Sequence, residues 1–152
     1  MWNYLRSLGF SEESTAGIMG NFEQESTMDP TNDGGAAAGI CMFEKATGCF
    51  SEYQAYAKSK GKEWTDLQCQ LDYMMKLLPS EFNTYTGHGT YTYPNGTVTW
   101  WPTAMTLDEY KKLTDPEEAA EIFCRVYERA SVPMMENRKS AANDYYSLYH
   151  GK

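Results

Sequence analysis

The sequence has few of the residues that build zinc sites. It contains only two histidines, no HExxH stretch, and no CxxC pair among its cysteines, which are Cys41, Cys49, Cys69 and Cys124. Because zinc sites draw three or four ligands from characteristically spaced cysteines, histidines and carboxylates, we expect no metal, and we predict no other cofactor. An even number of cysteines permits two disulfides. Nothing else marks a small disulfide scaffold, so buried thiols are the preferred prediction.

Long apolar runs and concentrations of positive charge are also absent. No stretch approaches the roughly 20 apolar residues of a membrane span, and the N-terminal MWNYLRSLGF lacks the apolar core of a signal peptide. The net charge is −8, and no run of lysine or arginine is longer than Lys111–Lys112. Nucleic acid is therefore a poor partner, because its binding depends on clustered positive charge.

Local signals along the 152 residues predict one mostly helical domain over 1–152. Helix starts, helix stops and periodicity predict helices at about 2–8, 11–26, 51–60, 65–78, from 106, 116–130 and 134–149. The segment 36–43 is predicted to be a tight strand or a buried loop. Alternating threonine and tyrosine around the turn Pro94-Asn95-Gly96 predict a β-hairpin insertion at 82–104. The predicted fold class is mostly α (α+β).

Two glutamates near the end of the second predicted helix, in GNFEQESTMDP, are candidates for a catalytic acid. At about 100° per residue, Glu25 lies about 20° from Ile18 on the apolar face, whereas Glu23 lies about 140° away, at its edge. A carboxylate held against apolar side chains is partly desolvated, and desolvation favours the neutral form that a general acid needs. The alternative is a glutamate that points into water over the helix end.

The same stretch resembles the phage tail lysozyme family, found in tail-tip and endolysin proteins of phages that infect Gram-positive hosts. In that family a helix ends in Gly-Asn-x-x-x-Glu-Ser, and a loop and a short Gly-containing apolar strand follow, similar to GGAAAGICMFE here. WTDLQCQLDYMMKLLP and IFCRVYERASVP extend the resemblance over nearly the whole chain, apart from the hairpin. The resemblance implies a lysozyme-like fold. It carries the family's catalytic glutamate onto Glu25 and leaves Glu23 at a variable position.

The identity of a second catalytic carboxylate stays open among Asp33, Glu44 and Glu128. Glu44 stands where the resemblance leads us to expect glutamine, so it is either a substrate ligand or a second acid/base residue. Asp33 lies in turn-forming sequence, and a turn is its preferred interpretation. A calcium loop is not predicted there, because Ile40 stands where that loop needs glutamate. For Glu128, a salt bridge with Arg129 is the competing interpretation.

The resemblance implies that the substrate is peptidoglycan, and aromatic side chains suit the faces of its sugar rings. The chain has twelve tyrosines and four tryptophans, although most such residues in proteins are part of the core. Candidate substrate-binding residues are Asp33, Phe43, Tyr91, Trp100 and Tyr127. Tyr93 and Trp101 are further candidates for one wall of a cleft.

The leading hypothesis is a muramidase that hydrolyses the β-1,4 bond between N-acetylmuramic acid and N-acetylglucosamine, with Glu25 as general acid. A lytic transglycosylase, a cysteine peptidase using Cys41 or Cys49 with His88, and a non-enzymatic glycan-binding or tail structural module are the alternatives. The implied location is the phage virion tail, or the host cytoplasm with release to the cell wall. We also hypothesise that the chain is joined to further domains in a longer protein.

Overall fold

The computed structural model describes residues 1–85, 90–92, 96, 98–100, 105–130 and 132–152. Its helices are α1 (Trp2–Ser7), α2 (Glu12–Ser26), α3 (Cys49–Ser59), α4 (Leu67–Tyr85), α5 (Leu107–Tyr110), α6 (Pro116–Phe123) and α7 (Met135–Tyr149). Helix α6 continues directly into a π-helical turn, Cys124–Glu128. The described strands are β1 (Ala37–Ala38), β2 (Phe43–Glu44), β3 (Thr90–Thr92) and β4 (Val98–Trp100).

Both strand pairs are short and antiparallel. Strand β1 pairs with β2, with Ala37 opposite Glu44 and Ala38 opposite Phe43. Strand β3 pairs with β4, with Tyr91 opposite Thr99. Helices with small antiparallel sheets confirm the predicted mostly α fold class.

The chain forms two compact units. The first consists of Met1–Gln24 and Leu78–Lys152, and the second of Glu25–Leu77. The chain therefore passes from one unit to the other within α2, between Gln24 and Glu25. Among the described helices, none has both the length and the apolar character needed to cross a membrane.

Helix α2 is buried on every side in its middle, not along one face as the helical wheel assumed. All residues from Ser14 to Phe22 are buried. Glycines allow this close packing: a Cβ atom at Gly17 would lie 2.6 Å from the Cβ of Ala119 on α6, and one at Gly20 would lie 2.5 Å from the backbone oxygen of Arg138 on α7. Such separations leave no room for a side chain between the helices.

The helix starts predicted near residues 106 and 116 are confirmed, and each is capped by a side chain. The Thr106 side chain accepts a hydrogen bond from the Glu109 backbone, and the Glu109 side chain accepts one from the Thr106 backbone, which completes a capping box at α5. The Asp115 carboxylate accepts from the backbone of Glu117, at 2.8 Å, with Pro116 in the first turn of α6. These bonds satisfy backbone donors that a helix N-terminus otherwise leaves unpaired.

Helix α4 corrects two predictions. Its capping carboxylate belongs to Asp66, which accepts from the backbone N–H of Cys69 at 2.9 Å, so the helix begins at Leu67 and not at the predicted residue 65. The helix also continues through Pro79 to Tyr85, beyond the predicted end at residue 78. The first four residues of the range 82–104 are thus helical, and the pairing of β3 with β4 lies farther along that range.

Aromatic side chains form the core of the second unit. Phe43 stacks on Tyr53 with ring centroids 4.5 Å apart and meets Tyr73 edge-on at 5.5 Å. The Tyr53 hydroxyl donates to the backbone oxygen of Trp64 at 2.7 Å, and burial raises the pKa of Tyr53. This cluster packs β2 against α3 and α4.

The cysteines carry thiols, as predicted. Cys41, Cys69 and Cys124 are buried, and Cys49 is half-buried. Burial is the first cause of a raised pKa at Cys69. A protonated thiol of this kind packs as a small apolar group.

Candidate functional site

The last turn of α2 carries the two glutamates in question, and burial alone does not distinguish them. Glu23, Gln24 and Glu25 are all half-buried. The helical wheel separated Glu23 from Glu25 only because it assumed a single apolar face. The helix end that follows Glu25 and the family motif are therefore what distinguish the two residues.

Glu23 has a structural partner in the first unit. The hydroxyl of Tyr145 on α7 donates a hydrogen bond to Glu23 Oε2 at 2.9 Å. Burial, and then this hydrogen bond, raise the pKa of Tyr145 to about 12. Glu23 therefore helps to join α2 to α7.

Glu25 is followed by a strained backbone. Ser26 ends the helix, and both Thr27 and Met28 adopt left-handed conformations with φ of 52° and 60°. Residues other than glycine rarely do so, and a β-branched residue such as threonine does so least readily. Strain of this kind costs about 1–3 kcal/mol per residue and clusters at functional sites, so this helix end is a candidate site.

The loop after α2 is held by an ion pair between Asp33 and Lys45. The hydrogen bond and the charge of Lys45 lower the pKa of Asp33. Asp33 also forms an isolated β-bridge with Ala38. These contacts favour the structural interpretation of Asp33, which extends the β1–β2 pairing toward the loop.

Phe43 and Glu44 are neighbours on β2, so their side chains point to opposite sides of the strand. Phe43 is 1% exposed and lies in the aromatic core, which argues against its predicted contact with substrate. Glu44 points the other way and is exposed at the end of the strand, as the side-chain period of two requires. Met42 immediately before them has a left-handed φ of 48°.

Tyr127 and Glu128 lie in the first unit, on the π-helical turn. Tyr127 is half-buried and stacks on Phe123 at 5.0 Å. Glu128 is half-buried, and its Oε1 atom is buried. Arg129, which ends the turn with a left-handed φ of 47°, forms an ion pair with Glu81. Short π-helical segments are frequent at functional sites, so Glu128 stays a candidate.

Several predicted residues lie where the structure gives no side-chain description. Tyr91 is in β3 and Trp100 is in β4, but their side chains are not described. Tyr93, Trp101 and His88 lie outside the described residues. Within the described residues, no group of three or more histidine, cysteine, aspartate or glutamate side chains could hold a metal ion.

Asn21, Gln70 and Arg138 are buried polar residues that were not predicted from the sequence. One signal was available for Gln70, because it lies four and eight residues before the buried Met74 and Leu78 on one face of α4. A polar side chain on such a face needs an internal hydrogen-bond partner.

Comparison with protein families covers the stretch that carries the motif. The family model described as Phage tail lysozyme matches residues 1–149. The chain belongs to the phage tail lysozyme family. The match covers nearly the whole chain and confirms the resemblance seen in the sequence. Membership assigns a lysozyme-like function that acts on peptidoglycan, and it associates the chain with the phage tail.

Proposed function

We propose that the chain is a muramidase that hydrolyses the β-1,4 bond between N-acetylmuramic acid and N-acetylglucosamine, with Glu25 as the general acid. The observation that carries this proposal is the position of Glu25, half-buried and directly before Ser26-Thr27, at the end of the helix that carries the family motif. The C-terminal end of a helix dipole disfavours a carboxylate. Stability therefore gives little reason for a half-buried glutamate there, whereas catalysis does.

In the proposed reaction, the protonated Glu25 carboxyl donates its proton to the glycosidic oxygen as the bond from that oxygen to the anomeric carbon breaks. The leaving sugar departs as an alcohol. Positive charge develops on the ring that keeps the anomeric carbon. Water then adds to this carbon and loses its proton to a base, and Glu25 regains a proton before the next turnover.

Glu44 is our first candidate for the base. It is exposed at the end of β2 in the same unit as Glu25, whereas Asp33 is held by Lys45. An inverting glycosidase places its two carboxyls about 6.5–9.5 Å apart to admit a water molecule between base and sugar. Glu128 is the second candidate, and Tyr127, Tyr91 and Trp100 remain proposed contacts to the sugar rings.

Product analysis tests the proposed reaction. Purified peptidoglycan is digested, the soluble products are separated, and their masses are measured before and after borohydride reduction. Muramidase activity predicts products that have gained one water and end in reducible N-acetylmuramic acid. Products ending in 1,6-anhydro-N-acetylmuramic acid would instead show a lytic transglycosylase, and binding without release would show a glycan-binding module.

For the peptidase alternative, the structure argues against Cys41 as the nucleophile, whereas Cys49 is half-buried and His88 lies outside the described residues. Cys41 is 2% exposed, and its thiol lies 3.8 Å from the backbone oxygen of Gln70. A buried thiol in apolar surroundings is a poor nucleophile. New amino groups in the same digests would instead show a peptidase.

A further inference from the structure

One buried amide connects the two ends of the loop that follows α2. Gln70 on α4 is 0% exposed. Its Oε1 atom accepts a hydrogen bond from the Ile40 backbone at 2.6 Å, and its Nε2 atom donates to the backbone oxygens of Pro30 at 2.7 Å and Trp64 at 2.9 Å. Three backbone groups separated in sequence are thus satisfied by a single side chain.

Gly39 makes this arrangement sterically possible. Its φ is +79°, and a Cβ atom at this position would lie 2.7 Å from Gln70 Oε1. Its own N–H donates to the Asn32 backbone oxygen at 2.8 Å. A side chain at residue 39 would therefore displace the amide from Ile40.

Ile40 links the amide to the end of α2. While its N–H bonds to Gln70, its carbonyl oxygen accepts a hydrogen bond from the hydroxyl of Ser26 at 3.4 Å. Ser26 is 1% exposed and directly follows Glu25. A continuous path of contacts thus runs from Gln70 through Ile40 to Ser26, the residue beside the proposed acid.

We infer that Gln70 is a positioning residue that fixes Glu25 and the segment 30–44 in the geometry required for glycosidic cleavage. This inference rests on the proposed role of Glu25. The backbone after Glu25 is strained at Thr27 and Met28, and strained conformations persist only where surrounding contacts over-determine them. Gln70 provides such contacts at Pro30 and at Ile40. Because its side chain is fully buried, we expect it to act through these contacts and not on the substrate itself.

The first test replaces Gln70 by methionine, which keeps the length of the side chain but removes its hydrogen bonds. We expect kcat to fall about 10- to 100-fold, since small misplacements of catalytic groups reduce rates by this order, while KM changes less than about twofold. The amide of Ile40 should lose protection in hydrogen exchange, whereas amides in α6 and α7 should keep theirs. The matched control is Gln68→Met, at an exposed position on the same helix, which should leave all three readouts unchanged.

A second variant keeps the test decisive if Gln70→Met folds poorly. Gly39→Ala retains Gln70 but pushes its amide away from Ile40, so it should lower kcat similarly. In the double variant, the loss in kcat should be no larger than in the more affected single variant, because both changes break the same contact. A merely structural role predicts instead a lowered Tm with wild-type kcat per folded molecule, and this result would overturn the inference.

Glu25→Gln, assayed in parallel, separates a failure of the positioning role of Gln70 from a failure of the catalytic role proposed for Glu25. If Glu25→Gln is inactive while Gln70→Met and Gly39→Ala keep wild-type kcat, only the positioning role fails. If Glu25→Gln itself keeps wild-type activity, the proposed function of Glu25 fails, and the positioning role fails with it.

Discussion

Each of the two units contains a buried polar centre, and the two centres hold different kinds of structure. In the first unit, Asn21 on α2 donates to the backbone oxygen of Ala120 on α6 at 2.9 Å and accepts from Arg138 on α7 at 2.9 Å. In the second, Gln70 binds backbone groups of irregular segments. Helices already satisfy their own backbone, whereas a loop does not. The first centre should therefore govern stability, and the second should govern the geometry of the site.

The largest stability effect is expected from Arg138→Met. The change removes a charged donor from Asn21 and from the Pro133 backbone oxygen, and buried groups that lose a charged partner are costly. We expect the free energy of unfolding to fall by about 3 kcal/mol and Tm to fall by about 10 °C, with kcat of the folded protein within about twofold of wild type.

Denaturant and thermal unfolding measure this change. Ser140→Met, at an exposed position on the same helix, is the control and should leave Tm within about 2 °C. A variant at Arg138 with unchanged Tm but reduced kcat would reverse the contrast between the two centres.

Two glycine substitutions, one in each unit, should affect stability and catalysis differently. In Gly20→Ala the new Cβ would meet backbone atoms of Arg138 and Ala142 at 2.5 and 2.7 Å, which cannot move independently of α7. We expect a net loss of about 2 kcal/mol, even though alanine gains about 1 kcal/mol in helix propensity. Gly39→Ala meets a side-chain amide and also strains a positive φ, so it too should lose stability, but its loss in kcat should be larger than that of Gly20→Ala. Equal losses of kcat in Gly20→Ala and Gly39→Ala would contradict the assignment of stability to the first centre and of site geometry to the second.

The smallest effect is expected from Tyr145→Phe, which removes the hydrogen bond to Glu23. We predict a loss of about 1 kcal/mol at neutral pH. Because the pKa of Tyr145 is about 12 in the folded protein and about 10 when unfolded, the tyrosine's contribution to stability is fully present below pH 10 and decreases as the pH rises from 10 toward 12. Urea unfolding of both proteins at pH 7 and pH 11 should show the difference shrinking. If the difference in the free energy of unfolding between the two proteins were the same at pH 7 and pH 11, this hydrogen bond would be excluded as its source.

Much of the helical fold could be predicted because its signals are local. The starts of α5 and α6 follow from Thr106, Asp115 and Pro116, which act within their own first turns. The end of α4 could not be predicted this way. Phe82 lies beyond Pro79, and its ring packs at 5.1 Å from that of Tyr110. A tertiary contact between residues far apart in sequence thus supports a helix that proline alone would be expected to end.

The candidate site was predictable only in part for the same reason. The motif around Glu25 is contiguous in sequence, so it could be recognised. The hydrogen bonds of Gln70 to Ile40 and Pro30 join residues 30 and 40 positions apart, and no local pattern encodes such a pairing. Helix α2 has no single apolar face in its middle, because close packing at Gly17 and Gly20 buries it on every side, so the position of Glu25 on a helical wheel does not distinguish it from Glu23.

We propose that Glu25, and not Glu23, supplies the proton for glycosidic cleavage. The most direct test of this proposal compares the release of soluble muropeptides from purified peptidoglycan by Glu25→Gln and Glu23→Gln, at equal concentrations of folded protein. General acids contribute about 100- to 10,000-fold to rates, so Glu25→Gln should lose at least about 100-fold in kcat. Glu23→Gln, whose amide oxygen still accepts from Tyr145, should stay within about twofold of wild type. Wild-type activity in Glu25→Gln together with its loss in Glu23→Gln would contradict this account.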